Sequence, residues 1–398
     1  MKSLTELERE IHDESIAVWH RLHENPELSM EEYQTADYIQ SQLAEKTGLA
    51  VHRVGKTGIW AELAGTAACD GPERILVLRG DMDALPIQEK TDLPYCSKIP
   101  GVMHACGHDM HTTALLASAR ILESFRDRIA GKIWFFFQPG EEKMAGAKTF
   151  LEDPDIDFDR VTQAIGIHAA GNVEVGKIRL KNGPILASSD ELHFRLHGIG
   201  GHAAYPQNTH DTIVAAAYLI AQLHTLVSRE VSPLDSAVLT IGKIMGGTKD
   251  NIIASEVTID GTLRTLNQKT REDMQAAIRR ICDGVETALR VDIDLEISQG
   301  TKPLLNCEGT VNLAKNAALK LLGNDSVVWA ETPGMASEDF GYFLERVPGA
   351  FVFIGTQTPG KPPAAGHTPE FYTDPDAVRV ASLILSGTAL EYFSVEYF

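Results

Sequence analysis

Three short apolar runs in this chain each end on residues able to do chemistry. Ile75-Leu76-Val77-Leu78 runs into Arg79-Gly80-Asp81-Met82-Asp83, and Ile133-Trp134-Phe135-Phe136-Phe137 into Gln138-Pro139-Gly140-Glu141-Glu142. Ala164-Ile165-Gly166-Ile167 stops at His168. Short runs without polar alternation read as strands buried on both faces of an α/β sheet. In such sheets the site lies at the carboxyl ends of the strands. The pattern therefore predicts an α/β fold with acids and a histidine delivered to one end of its sheet.

The densest cluster is His104-Ala105-Cys106-Gly107-His108-Asp109-Met110-His111. The apolar Ala114-Leu115-Leu116-Ala117 that follows reads as a buried helix, so the cluster occupies a loop and the first helical turn. Cys106 and His108, two apart, point to one side of an extended loop. A thiolate with an imidazole suits zinc or another divalent transition metal. Glu141 and Glu142 are neighbours, and neighbours on an extended segment point opposite ways. One can bind metal while the other faces the reacting water. With His168 and the late His367, the ligand candidates are Cys106, His108, Glu142, His168 and His367. Five ligands suit two ions and a bridging water. Glu141 would then take the water's proton and pass it to a leaving amine.

Before this cluster, residues 5–24 read as a helix stopped by Pro26. Ser29 is placed to cap the next helix, with Glu32 completing a capping box. His20 and His23 read as surface or supporting residues rather than ligands. From about residue 188 the pattern changes. Glu191–Leu196 alternates like a strand with one solvated face, and 211–227 reads as a helix. Strands at Ser236–Ile244 and Val257–Thr265, a helix at 270–289 and a strand at Val291–Ile297 complete a β-α-β-β-α-β order, the ferredoxin-like arrangement. The expected domains are 1–187 with 299–398, and an inserted 188–298.

A chain of 398 residues is long enough for two or three domains. Its formal net charge of -19 argues against nucleic acid and anionic membranes as partners. The first residues are polar, no apolar run approaches membrane-spanning length, and five scattered cysteines do not read as a disulfide framework. The expectation is a cytoplasmic protein.

The motifs together resemble the metal-dependent aminoacylase/carboxypeptidase family, in its amidohydrolase branch of hippurate hydrolases, auxin-conjugate hydrolases, N-acyl-amino-acid deacylases and N-acetyldiaminopimelate deacetylases. The matching stretches are Arg21–Ser29, Gly80–Pro86, Met103–His111, Gln138–Glu142, Gly200–Pro206 and Ser337–Phe340, in order along nearly the whole chain. The resemblance implies a mixed-sheet catalytic domain of the zinc-peptidase type and an inserted domain that makes a homodimer. It implies two divalent ions, Zn2+ or Mn2+, on Cys106, His108, Glu142, His168 and His367, with Glu141 as general base. His202 matches a histidine that reaches the neighbouring subunit's site, while Asn251 and Arg264 match substrate-binding positions. The implied substrate is a small N-acyl-L-amino acid, hippurate-like or N-acetylated, possibilities that include N-acetyldiaminopimelate. Where the wider superfamily has His-x-Asp this chain has Asp81-Met82-Asp83, so Asp81 and Asp83 are expected to orient ligands from behind. Another departure is Ala169-Ala170-Gly171-Asn172 after His168, where family members often carry bulkier residues. Three alternatives remain: a dipeptidase or carboxypeptidase on the same scaffold, a metal-stabilised binding protein without catalysis, and a zinc-storage or redox sensor. The presence of Glu141 counts against the second. The third needs a second thiol beside Cys106, and Cys96 is its only sequence neighbour.

Overall fold

The computed structural model describes residues 2–69 and 71–398. The chain forms two compact units. The first takes the residues through Gly183 with Leu305–Glu331 and Tyr342–Phe398, and the second takes Pro184–Leu304 with Thr332–Gly341.

The first unit is built on an eight-stranded mixed sheet. Its order is Ala50–Val54, Gly58–Ala64, Lys132–Gln138, Ile75–Asp81, Gln163–Glu174, Gly349–Gln357, Ile178–Leu180, Val327–Trp329. The three apolar runs are neighbouring central strands, parallel to one another. Their side chains are buried on both faces, as unalternated strands require. Helices Leu4–Glu24, His108–Glu123 and Asp376–Tyr392 feed Trp19, Leu115 and Ile384 into the same core.

The ladder between Ile75–Asp81 and Lys132–Gln138 runs to the pair Asp81 and Gln138, but the ladder with Gln163–Glu174 stops at Arg79 and Gly166. The two strands part there. The start of helix His108–Glu123 lies against this opening. Gly80 permits the approach, because a Cβ there would sit 2.9 Å from the His111 carbonyl oxygen.

The first helix is capped by Ser3, with Glu6 completing a capping box. The box expected from Ser29 and Glu32 does not form. Glu32 makes no capping bond to helix Tyr33–Lys46; the Glu27 carboxylate accepts the Gln34 and Thr35 N–H groups, at 3.1 and 2.7 Å. Ser29 Oγ instead donates to Asp83 at 2.6 Å. Glu32, fully buried, accepts from Thr57 Oγ1 and from the N–H groups of Met30 and Gly140. Long-range donors outcompete the local cap because a buried carboxylate must be fully hydrogen-bonded.

In the second unit, an antiparallel sheet runs in the order Ala237–Gly246, Glu256–Thr265, Asp190–His197, Asp292–Gln299. Along the chain the elements come as strand, helix (Thr212–Arg229), strand, strand, helix (Gln268–Leu289), strand. Leu219, Leu223, Met274 and Ile278 of the helices share a core with Leu192, Phe194 and Ile259 of the sheet. Arg271 grips Asp190 through Nε and Nη2 at 2.8 and 2.6 Å, tying the second helix to the first strand of this unit. Thr332–Gly341 was assigned by the sequence to the first domain. It joins the second unit through Ala187 N–H to Ala336 O and Gly334 N–H to Ile185 O. It carries no periodic pattern that could have revealed this. Among the described residues, no helix is long and apolar enough to cross a membrane.

Candidate metal centre

The ligand candidates converge at the carboxyl end of the first unit's sheet. Gly107, left-handed at φ +86°, turns the Cys106 loop into helix His108–Glu123. Cys106 Sγ lies 3.3 Å from His168 Nε2. Cys106, His108 and His168 offer donor atoms within 4.8 Å of one another, and so do Cys106, Glu142 and His367. The two groups share Cys106. His367 is itself left-handed, at φ +59°, and its N–H is held by the Ala105 carbonyl.

The chemistry of these atoms fits divalent cations. His108 Nδ1 meets Asp83 Oδ1 at 3.1 Å, which fixes the ring and leaves Nε2 buried without a hydrogen bond. Glu142 Oε1 is likewise buried; it lies 3.2 Å from His367 Nε2 but makes no well-directed hydrogen bond. Two buried polar atoms left over in one cluster are what missing ligand bonds look like. Burial disfavours a Cys106 thiolate, yet His168 and His108 together hold it well below the usual thiol range. The close approach of Cys106 and Glu142 pushes His367 up to about 10. The same negative potential suits a metal cation.

Asp81 and Asp83 stand behind the ligands. Asp83 accepts from Ser29 and from the Glu142 N–H at 3.1 Å as well as meeting His108. Asp81 meets His111 Nδ1 at 2.6 Å and Arg79 Nη1 at 2.6 Å. His111 is close enough to count as a ligand by distance. However, its Nε2 accepts the Ala169 N–H at 2.7 Å, so both ring nitrogens are engaged. Burial, against the pull of Asp81, brings His111 down to about 4, and it stays neutral.

Glu141 and Glu142 do not lie on an extended segment. They form a 3-10 turn, Glu141–Lys143, between left-handed Gly140 and Met144. A Cβ on Gly140 would meet Met30 Sδ at 2.4 Å. Glu32 holds the Gly140 N–H, and Lys143 Nζ reaches the Ser29 carbonyl. The turn does not send the pair opposite ways: Glu141, which is buried, and Glu142 each offer an oxygen to one group with His108, the donor atoms within 4.8 Å of one another. Sequence reading missed Glu32, Arg79 and His111 as supports. Glu32 lies 108 positions before the residue it holds, and no local pattern encodes that contact.

His23 belongs to none of the ligand groups among the described residues, but it is buried between two carboxylates that sequence spacing did not reveal. Its Nδ1 is 2.7 Å from Asp109 and its Nε2 3.3 Å from Glu89. Burial opposes its charge, but the two acids win and raise it to about 10, while both acids fall to about 2 despite burial. A raised histidine stabilises the fold fully below its unfolded value near 6.5, and that contribution is lost as pH rises through 10. His23→Asn should therefore cost about 2 kcal/mol at neutral pH. In urea unfolding the gap to wild type should narrow between pH 7 and pH 10; a constant gap would show that His23 is not charged in the fold.

In the second unit, His202 is exposed on the short strand Gly201–His202, which pairs with Ile252–Ile253. Its Nδ1 accepts the Ala204 N–H at 3.1 Å, which leaves Nε2 as the protonated, donating nitrogen. The Asn251 carbonyl accepts the Ala203 N–H, so Asn251 and His202 are neighbours. Arg264, half-buried, hydrogen-bonds Ser337 Oγ through Nη1.

A mixed α/β fold with a thiolate, imidazoles and paired carboxylates at its sheet's carboxyl end defines a hydrolase of the metallopeptidase type. The chain belongs to peptidase family M20/M25/M40, whose profile matches residues 77–391. It falls in the amidohydrolase branch. It is 40% identical over 388 residues to an N-acetyl-L-cysteine deacetylase of Bacillus subtilis (strain 168), covering 97% of this chain and 89% of that protein. It is 37% identical to an IAA-amino acid hydrolase of Arabidopsis thaliana, covering 96% of this chain and 86% of the relative. A solved Bacillus subtilis structure, a dinuclear metal-binding peptidase of the M20 family, superposes with a TM-score of 0.84 at 32% identity, over 98% of this chain and all of the other.

Proposed function

We propose that this chain hydrolyses the amide of an N-acyl-L-amino acid, releasing a carboxylic acid and the free amino acid. The observation that carries the reading is the pair of donor groups sharing Cys106, with Glu141 beside them. Cys106, His108 and His168 would hold one divalent cation, and Cys106, Glu142 and His367 a second. Bound there, Zn2+ or Mn2+ would supply Lewis acidity to the scissile carbonyl and the attacking water. Glu141 removes the water's proton and returns it to the leaving amine. Asp83 keeps His108 in the tautomer that presents Nε2.

The second unit, with its ferredoxin-like strand and helix order, is the dimerisation domain in this reading. Support comes from exposed apolar side chains on one helix and an edge strand: Ile213, Val214 and Tyr218, with Ile244 and Met245. His202 of one subunit donates from Nε2 to the oxyanion formed in the other. Asn251 and Arg264 hold the substrate, with Arg264 on its free carboxylate. The net charge of -19 makes a dedicated local cation necessary for a bound anion.

The test is a panel of N-acetyl, N-benzoyl and N-succinyl amino acids, each as free acid and as C-terminal amide. The amides should lose kcat/KM by roughly 10–100-fold, the worth of one charge-assisted contact. Arg264→Ala should slow the acids and leave the amides nearly unchanged. Equal hydrolysis of both forms by wild type would defeat the carboxylate clamp and favour a broad amidase.

A further inference from the structure

Arg79 and His111 are fully buried beneath the candidate ligands, and neither takes part in the chemistry above. Arg79 Nε donates to Gln138 Oε1 at 2.9 Å and its Nη1 to Asp81 Oδ2 at 2.6 Å. The other Asp81 oxygen accepts the hydrogen bond from His111 Nδ1–H. His111 Nε2 then accepts the N–H of Ala169, the residue after His168. The Ala169 carbonyl in turn takes the hydrogen bond from His168 Nδ1 at 2.8 Å, which turns His168 Nε2 toward Cys106. Ala169 is therefore held at both its N–H and its carbonyl, once by His111 and once by His168.

The strand topology explains why His111 is needed. Beyond Arg79 and Gly166 the two parallel strands no longer pair, so no Ile75–Asp81 carbonyl is aligned to receive the Ala169 N–H. An unpaired buried N–H is costly, and the imidazole supplies its acceptor. Neutral histidine suits this place, since one nitrogen must donate to Asp81 while the other accepts.

We propose that Arg79, Asp81 and His111 form a buried positioning chain that fixes His168, and so governs affinity at one of the two cation sites, the one built from Cys106, His108 and His168. The proposal rests on the two-cation reading above. The site of Cys106, Glu142 and His367 has supports of its own, Glu32 and the Gly140 turn, and shares only Cys106 with the first.

Two substitutions separate the bonds His111 makes. In His111→Asn the amide lies near the position of Nδ1, so it can reach Asp81 but falls short of Ala169. In His111→Gln the amide oxygen lies near the position of Nε2 and can still accept the Ala169 N–H. Protein stripped by a chelator is titrated with Mn2+ calorimetrically, with metal content checked by elemental analysis and folding by thermal melting. Wild type is expected to bind two equivalents. His111→Asn should weaken one by roughly 10–100-fold, the usual effect of losing an outer-sphere support, and leave the other unchanged. His111→Gln, which keeps the Ala169 bond and loses only Asp81, should weaken the same site by less than His111→Asn does. In a Glu142→Gln background the weakened site should be the one that remains. Arg79→Lys keeps the charge but not the two-pronged hold, and should weaken the same site by a smaller factor, which keeps the test alive if His111→Asn does not fold. Equal loss in the Asn and Gln variants, loss at both sites, or wild-type affinities in Asn would overturn the positioning role. Wild type that binds fewer than two equivalents would instead refute the two-cation reading itself.

Discussion

Glu141→Gln should keep its metal and its melting temperature while kcat falls by roughly 10²-fold or more, the typical worth of a general base. The amide fills the space of the buried Glu141 carboxylate, so the turn Glu141–Lys143 has no reason to move. Glu142→Gln should do the opposite in order: metal content falls first, and turnover follows. Elemental analysis and steady-state kinetics on the two variants decide between them, and the reverse pattern would exchange base and ligand. Mixing Glu141→Gln with His202→Ala subunits extends the test. If His202 serves the neighbouring subunit's site, a mixed dimer contains one intact site and part of the activity returns. No return, with subunit exchange verified, would confine His202 to its own subunit or remove it from catalysis.

Cys106→Ala is the other large change. Cys106 is the one residue common to both donor groups, so its loss strips an atom from each. Both cation affinities should fall by more than the roughly 100-fold upper range seen for outer supports, because a direct ligand is gone. Activity should then depend on high added metal. The variant should remain folded, since Cys106 lies on a loop and the helix that follows is packed by Met110, Ala114 and Leu115. A Cys106→Ala protein that retains two metals through dialysis would show that the thiolate is not a ligand.

The elements that were legible in the sequence are those whose information is local. Ile75–Leu78 and Ile133–Phe137 announce buried strands by composition alone, and the structure makes them adjacent central strands. Glu191–Leu196 announces a half-solvated strand by alternation, and it lies within strand Asp190–His197. The ligand candidates stood out because a thiol, imidazoles and carboxylates recur in short motifs beside apolar runs, and the structure brings their donor atoms together. What could not be read depends on contacts across the chain. Ser29 and Glu32 have the spacing of a capping box, and the pattern is satisfied locally on paper. The deciding partners, Asp83 and Gly140, are brought in only by tertiary packing. His111 belonged to a visible cluster, yet its role follows from where two strands part. Thr332–Gly341 has no periodicity, so its unit was invisible until its backbone bonds were seen.

The place of Glu32 has a practical consequence for anyone trimming this chain. The family match begins at residue 77, and every ligand candidate lies within it. A fragment cut to that span would look complete on an inventory of ligands. It would lack the carboxylate that anchors the Gly140 N–H and the hydroxyl that braces Asp83. The acidic turn would then be free to sample conformations that spread its donors apart, and metal would bind to a floppy edge rather than a preset cradle. The minimal catalytic fragment is therefore longer than the minimal recognisable one, and it must reach back past two residues that are not among the ligand candidates.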